Sequence, residues 1–243
     1  MATSINIQAV DDQSPINERT KKMVLYIGIF SIVMLFAGFS SAYVISSYNE
    51  IWVNLSIPDA FYVSTVLILL SSLTIKLAVN ASNNGNESKA TSLLAVTLLL
   101  GLGFGLSQYL GWNELVGEGS YLSGHIDNLE GVYGEDYTIS YQGQELIFEN
   151  GEYYLPNDEL REKPLLDEIA VYSNSTASYI YILSFVHLLH VLGGILFLAG
   201  ILIASRVGKN RGLSNLRLRL GSIYWHFVDG LWVYLLLFLL LIH

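Results

Sequence analysis

The chain has 243 residues, of which 52% are hydrophobic and only 14% are charged, and its mean hydropathy is +0.46. A soluble domain usually carries about a quarter charged residues, so an ordinary soluble enzyme is disfavoured, and the apolar content excludes intrinsic disorder. The absence of cysteine excludes disulfides, iron–sulfur clusters and thiolate zinc sites. The net charge of −9 argues against nucleic-acid binding, which needs a basic surface. The composition is that of a membrane protein.

Five segments are apolar and long enough to cross a bilayer, which takes about 20 residues. In chain order they are 23–48, 60–79, 90–112, 176–205 and 220–242. We therefore predict an all-α polytopic membrane protein with five transmembrane helices. The chain divides into a cytoplasmic tail (1–22, polar and without the apolar core of a secretory signal), helices one to three (23–112), an insertion (113–175) and helices four and five (176–243).

The basic residues predict the orientation of the chain, because Lys and Arg concentrate in short cytoplasmic flanks. If the five helices alternate in direction, ten of the twelve Lys and Arg residues lie on one side: Arg19, Lys21, Lys22, Lys76, Lys89, Arg206, Lys209, Arg211, Arg217 and Arg219. This distribution predicts a cytoplasmic N-terminus and a C-terminus outside.

The insertion, residues 113–175, holds 14 acidic residues and two basic ones. Its segments 137–141 and 144–148 alternate strand-forming residues around the turn Gln142-Gly143, which predicts a β-hairpin, and a second turn is expected at 149–152. We therefore predict a small β-rich cap on the outer side that rests on a neighbouring subunit. Two interpretations of its charge stay open. The cap is either a solvated surface that avoids the membrane, or a docking face for a basic partner.

Polar side chains inside hydrocarbon are costly, so they mark positions used for packing or function. The candidates for buried polar packing or lipid contact are Gln108, His187, His190, Trp225, His226 and Asp229. His187 and His190 share one helix face, as do His226 and Asp229. At about 1.5 Å per residue, His190 and Asp229 lie at similar heights in neighbouring helices, and we expect Asp229 to be hydrogen-bonded between helices four and five.

Imidazole groups also bind metals and haem, so a haem-binding protein or a membrane transporter is an alternative. Two histidines three residues apart on one helix do not provide both axial ligands of one haem iron. A di-iron centre needs several inward carboxylates, and a proton path also needs more than Asp229 alone. The residues therefore favour hydrogen-bonded helix packing over a metal or cofactor site.

Two stretches resemble subunit III of the haem–copper oxidases. Residues 224–232, with the sequence YWHFVDGLW, are very similar to the YWHFVD-x-x-W signature in the last helix of that family. Residues 187–194, HLLHVLGG, resemble the H-G-L-H-V-x-x-G of the preceding helix. Weaker similarities occur at 36–43 and at Gln108 and Trp112. The resemblance covers the five helices and omits the insertion.

The resemblance implies a non-catalytic subunit of an aa3-type cytochrome c oxidase that binds no haem or copper and is not an enzyme on its own. It implies packing against the proton-pumping catalytic subunit I, association with subunit II, bound phospholipid, and protection of subunit I during turnover. It also implies a bacterial inner membrane, in which the insertion is periplasmic and an electron donor or another respiratory-chain complex is its candidate partner. The same subunit of a quinol oxidase is the alternative within the family. Two features depart from the family pattern. Ile32 stands where many members have a buried Glu, and the insertion is longer than usual.

Overall fold

The computed structural model describes residues 15–48, 51–158, 160–170, 172–207 and 214–242. The elements, in chain order, are α1 (Pro15–Ser47), β1 (Ile51–Leu55), α2 (Asp59–Asn83), α3 (Glu87–Gly117), a 3-10 turn (Ile126–Asn128), β2 (Tyr137–Tyr141), β3 (Gln144–Glu145), β4 (Ile147–Glu149), β5 (Glu152–Tyr154), α4 (Leu166–Ile169), α5 (Ser175–Val207) and α6 (Asn215–Ile242).

Five helices are long and apolar enough to span a membrane, as predicted: α1, α2, α3, α5 and α6. All five extend beyond the predicted apolar segments at one or both ends, because flanking polar residues continue the backbone hydrogen bonding. Of the predicted tail 1–22, residues 15–22 form the first turns of α1, and residues 1–14 lie outside the described part of the chain.

Side-chain pairs define the directions of the helices. Tyr43 contacts Phe238, so α1 and α6 run parallel, whereas the pairs Thr65–Trp232 and Ser71–Trp225 require α2 to run antiparallel to α6. The same reasoning places the start of α1, the α2–α3 connection and the α5–α6 connection at one end of the bundle. We call this the basic end, since it carries Arg19, Lys22, Lys76, Lys89 and Arg219; the opposite end is the cap end.

The helix α6 lies inside the bundle, whereas α1 lies at its edge. The most apolar window of α6 is 44% buried and that of α1 only 11%. Hydrophobic residues on the outer faces of α1, α2 and α3 are exposed, as expected for helices that face lipid. The buried polar residues discussed below therefore lie mainly where α6 contacts its neighbours.

The insertion forms the predicted small β-rich region. Strands β2 and β3 are antiparallel around Gln142 and Gly143, both with positive φ, and β4 and β5 are antiparallel around Asn150 and Gly151, again both with positive φ. Two successive residues of positive φ form the type I′ turn whose twist matches a hairpin. Both predicted turns are confirmed.

The strand β1 was not predicted. Residues 51–55, in the short connection between α1 and α2, pair antiparallel with all of β2, from Ile51 with Tyr141 to Leu55 with Tyr137. The sheet order is β1-β2-β3, so the insertion is completed by a strand from an earlier loop. Trp52, Val53 and Leu55 are buried there. The chain itself thus supplies one strand of the sheet in the insertion, and the predicted contact with a neighbouring subunit stays a prediction.

Side chains of α5 attach this cap, which we define as β1 together with residues 118–174, to the helices. The Tyr181 hydroxyl donates to the carbonyl of Ser120 at 2.9 Å, and the Ser178 hydroxyl donates to that of Leu122 at 2.6 Å. The Thr176 hydroxyl donates to the carbonyl of Val53 in β1 at 2.5 Å. Hydrogen bonds from α5 thus attach the cap directly to the helix bundle.

Candidate functional site

Two tryptophans of α6 point towards α2. Trp225 and Trp232 are seven residues apart and therefore share a face, and each is only 1% exposed. The Nε1 of Trp225 donates to the Ser71 hydroxyl at 2.9 Å, and the Nε1 of Trp232 donates to that of Thr65 at 2.9 Å. Both buried indole N–H groups are thereby satisfied, which fixes the rotation of α6 against α2.

Glycines allow the Trp225 ring to lie close to two further helices. A Cβ atom at Gly101 of α3 would lie 2.9 Å from Cη2 of Trp225, and one at Gly194 of α5 would lie 3.0 Å from its Cε3. Residues with a side chain would displace the ring at both positions. One indole thus contacts α2, α3 and α5 at once, and the two stretches that carry the family resemblance meet at Trp225 and Gly194.

His187 occupies an apolar position in the centre of the bundle. It is fully buried, and its ring centroid lies 5.2 Å from that of Trp232, 5.6 Å from Phe104 and 6.4 Å from Phe36. Neither ring nitrogen has a hydrogen-bond partner. His187 therefore packs through its ring, with aromatic groups from α1, α3 and α6 around it.

The expectation that Asp229 is hydrogen-bonded between helices four and five is wrong, although the predicted height of Asp229 relative to His190 is correct. His187 lies beside Trp232 and Gly194 beside Trp225, so the antiparallel register places His190 level with Asp229. The His190 ring, however, turns towards Phe36 of α1, at a centroid distance of 5.8 Å, and its Nδ1 is 2.7 Å from the carbonyl of Val186. Equal height does not ensure contact, because the two side chains leave their helices in different directions.

Asp229 points instead towards α2. It is 3% exposed, and neither carboxyl oxygen has a hydrogen-bond partner. Ser72 is its polar neighbour, but the hydrogen bond of the Ser72 hydroxyl is with Nδ1 of His226, at 2.6 Å. His226 is half-buried and lies one helical turn nearer the basic end. These three residues form a polar group in the α2–α6 interface, in addition to the two tryptophan hydrogen bonds.

Gln108 joins α3 to α2. Its Nε2 donates to the Ser64 hydroxyl at 2.8 Å, while its Oε1 is buried without a partner. One turn of α2 towards the cap, the Ser107 hydroxyl donates to the carbonyl of Ala60 at 2.7 Å. Gln108 is fully buried between α2 and α3, which favours packing over lipid contact among its two predicted roles.

Sequence reasoning missed the hydroxyl groups of α2. The partners of the buried Trp, His and Gln side chains are Ser64, Thr65, Ser71 and Ser72. Their spacing carried a usable signal: the pairs 64–65 and 71–72 are seven residues apart, the same separation as Trp225 and Trp232. When the axes of two helices are nearly aligned, in the same or in opposite directions, equal seven-residue spacings indicate residues that face each other.

The cap has an aromatic core of its own. The hydroxyls of Tyr137 and Tyr153 are 3.0 Å apart, and the Tyr133 hydroxyl donates to the carbonyl of Leu146 at 2.6 Å. The ring centroids of Phe148 and Tyr153 are 4.8 Å apart. Burial raises the pKa of Tyr133 and of Tyr153. These tyrosines remain neutral donors and acceptors at neutral pH.

Carboxylates of the cap differ in their surroundings. Burial raises the pKa of Glu118, and the nearby charges of Asp136 and Glu114 raise it further. On the surface, Arg161 donates to both carboxyl oxygens of Glu149, at 3.0 and 3.1 Å, and holds the pKa of Glu149 below its ordinary value. This bidentate pair links Arg161 to the end of β4.

Within the described ranges, no group of three or more His, Asp or Glu residues could hold a metal ion. Neither a family model nor a curated protein matches the chain. The buried hydrogen bonds join α6 and α3 to α2, and the Trp225 ring contacts α3 and α5, so the chemistry of this arrangement is that of helix packing.

Proposed function

We propose that this chain is an accessory, non-catalytic subunit of a haem–copper oxidase, of the subunit III type, in a bacterial inner membrane. The observation that carries the proposal is the contact between Trp225 and Gly194. These residues belong to the two stretches that resemble the family, and they lie on consecutive long helices. Because the two stretches contact each other, both contribute to the packing of α5 against α6.

The buried polar groups support a structural role. Trp225, Trp232 and Gln108 are all committed to hydrogen bonds with α2. In this proposal haem and copper reside in subunits I and II, and this chain supplies no ligand to either. Its contribution is to bind subunit I and stabilise it during turnover.

A groove at the basic end supports the expectation of bound phospholipid. It lies between α1 and the α5–α6 pair and has a volume of about 420 Å³. Leu25, Phe197 and Leu220 form apolar walls, and Lys21 and Tyr224 also line it. An acyl chain fits such walls, and a lysine at the membrane surface attracts an anionic headgroup.

The charge distribution supports an orientation with the basic end in the cytoplasm. The acidic cap then faces the periplasm, where a soluble electron donor would approach. Thirteen acidic residues against two basic ones in the cap favour a basic donor, and thus the cytochrome c form of the oxidase over the quinol form.

The test is to purify the tagged chain from its own membranes. We expect a-type haem absorbance and a subunit I in the same complex, and a colourless chain once the partners are removed. Deleting the gene should leave the haem and copper signals of subunit I, while activity decays faster during turnover. A chain that purifies alone with bound haem, or loss of the subunit I haem signals on deletion, would contradict the proposal.

A matched pair of variants tests the contact between Trp225 and Gly194, on which the proposal rests. Gly194→Val places a side chain against Trp225 and should reduce co-purification of subunit I. Gly200→Val lies on the same helix, where a Cβ meets nothing within 4 Å, and should leave co-purification unchanged. Equal yields from both variants would show that the Trp225–Gly194 contact does not support assembly.

A further inference from the structure

The α2–α6 interface contains a short row of polar groups that leads from the basic end into the bundle. His226 is half-buried, its Nδ1 lies 2.6 Å from the Ser72 hydroxyl, and Ser72 neighbours the Asp229 carboxyl. His226 and Asp229 are three residues apart on α6, so their side chains lie on the same face. Asp229 ends the row, with 3% of its surface exposed and both oxygens unpartnered.

No counter-charge among the described residues explains the burial of this carboxyl. Lys76, one turn along α2 from Ser72, acts electrostatically on His226 and is exposed. On α5, His190 is level with Asp229 but turns to Phe36. The charged residues of α3 lie near its two ends, at Glu87, Lys89 and Glu114, and α1 has none between Lys22 and Ser47. In an apolar interior, an unpaired carboxylate ion is far more costly than the neutral acid.

We propose that Asp229 exchanges its proton with water at the basic end through Ser72 and His226, so that the α2–α6 interface stores one proton inside the membrane. The inference rests on these three side chains and is independent of the oxidase assignment.

Proton uptake by the ionised carboxylate balances as follows. Nε2 of His226 accepts a proton from water, and Nδ1 releases one to the Ser72 oxygen. The Ser72 hydroxyl gives its own proton to an Asp229 oxygen after rotating about χ1, for which serine has three staggered positions. The net change is one proton moved from water to the carboxylate, and the imidazole returns to neutral as its other tautomer.

The row has one open end. On the cap side of Asp229, the Trp232 indole has only a donor, which is already used on Thr65, and the α2 residue one turn beyond Ser72 in that direction is the fully buried Ile68. A proton on Asp229 therefore returns by the route through which it entered. This geometry allows Asp229 to hold a proton but not to pass it across the membrane, since conduction would need a proton acceptor on the cap side of Asp229.

Infrared spectroscopy of the full chain in lipid tests the inference, with D2O as the probe. A protonated carboxyl gives a C=O band that shifts when deuterium replaces its proton, and Asp229→Asn identifies the band by removing it. We expect rapid exchange in the unmodified chain. Ser72→Ala and His226→Phe should each slow exchange by about tenfold or more, since each removes a proton-transfer group.

Two further variants separate the relay from a general loss of packing. Ser72→Thr keeps the hydroxyl and should keep rapid exchange. Thr74→Val removes a nearby α2 hydroxyl that contacts Thr97, outside the row, and should have no effect. The inference is overturned if Asp229→Asn removes no band, if the unmodified band does not exchange, or if Ser72→Ala and His226→Phe both exchange at the original rate. If Ser72→Ala fails to fold, His226→Phe alone decides the outcome.

Discussion

The indole of Trp225 lies across the backbone of Gly101, so closely that a Cβ there would be 2.9 Å from Cη2. The ring cannot retreat easily, because Gly194 of α5 is equally close on another side and Ser71 holds its Nε1. Three helices thus meet at one rigid side chain.

We expect Gly101→Ala to lower the free energy of unfolding by about 1–3 kcal/mol, the usual cost of overpacking a tight core. Gly105→Ala is the matched control, since its Cβ would meet Leu188 at an ordinary 3.6 Å. Thermal or denaturant unfolding in detergent, followed by tryptophan fluorescence, measures the difference. Equal stability of the two variants would show that the ring moves aside freely.

Thr65→Val should weaken the α2–α6 contact, because it keeps the shape of the side chain but leaves Nε1 of Trp232 without an acceptor. Membrane hydrogen bonds average about 0.6 kcal/mol and reach about 1.7 kcal/mol, so we expect a loss in that range. Thr65→Ser, which retains the hydroxyl, should be close to the unmodified chain in the same unfolding measurement. An equally large loss of stability in Thr65→Ser would show that the methyl group of Thr65, and not its hydroxyl, is responsible for the effect.

The turn between β4 and β5 gives a prediction for the cap. Gly151 has φ of 87°, so Gly151→Val introduces a β-branched side chain into a left-handed conformation and should loosen the hairpin. Asn150→Gly, at the preceding residue with φ of 54°, should be tolerated. Limited proteolysis checks both, with faster cleavage in residues 145–155 expected for Gly151→Val alone. Identical digestion of the two variants would contradict the assigned turn.

Glu118, which is half-buried, predicts a pH dependence with a definite sign. Its raised pKa means that the folded chain binds a proton more tightly than the unfolded chain. This residue's contribution to stability is therefore fully present below the ordinary carboxyl value of 4.5 and is lost as pH rises through the raised pKa. Glu118→Gln should stabilise the cap at neutral pH and have little effect in acid.

Glu149 provides the control of opposite sign. Arg161 lowers the pKa of Glu149, so its contribution is present above the ordinary value and is lost as pH falls through the lowered pKa. Glu149→Gln should therefore reduce stability at neutral pH and not in acid. Thermal melting across pH measures both variants, and the same sign for both would refute the burial argument for Glu118.

The acidic cap predicts a salt-dependent encounter with a basic electron donor. Charge reversal of the exposed residues Glu135, Glu145 and Asp167 to Lys should lower turnover at low ionic strength, because it weakens long-range attraction. The difference should vanish as salt shortens the Debye length below about 10 Å. Stopped-flow or oxygen-uptake assays of the intact complex measure this effect. An unchanged salt profile would identify the cap as a solvated surface only.

Much of the bundle could be predicted from the sequence, because a span is defined by local composition. The five helices and the turns at Gln142 and Asn150 depend on residues adjacent in the chain. The height of Asp229 relative to His190 followed from the helical rise. The direction of each side chain did not, because it depends on how α6 is rotated against α2, and the hydroxyls of Ser71 and Thr65 help to set that rotation.

The strand β1 shows a second limit. Residues 51–55 alternate apolar and polar positions only briefly, and their partner β2 lies beyond two long helices. Such a pairing depends on which loops the helices bring to the same end of the bundle. The sequence of the connection alone does not contain that information, although Trp52 and Val53 are residues that favour strands.

The pairing of β1 with β2 also sets an order for biosynthesis. Leu55 leaves the ribosome long before its partner Tyr137, and the whole of α2 and α3 is made in between. Until both helices have crossed the bilayer and returned the chain to the same side, β1 has an unpaired edge, which is open to wrong partners. The sheet can therefore form only after α2 and α3 have been inserted. In a chain that failed at this step, the edge of β1 would stay accessible to proteases and chaperones.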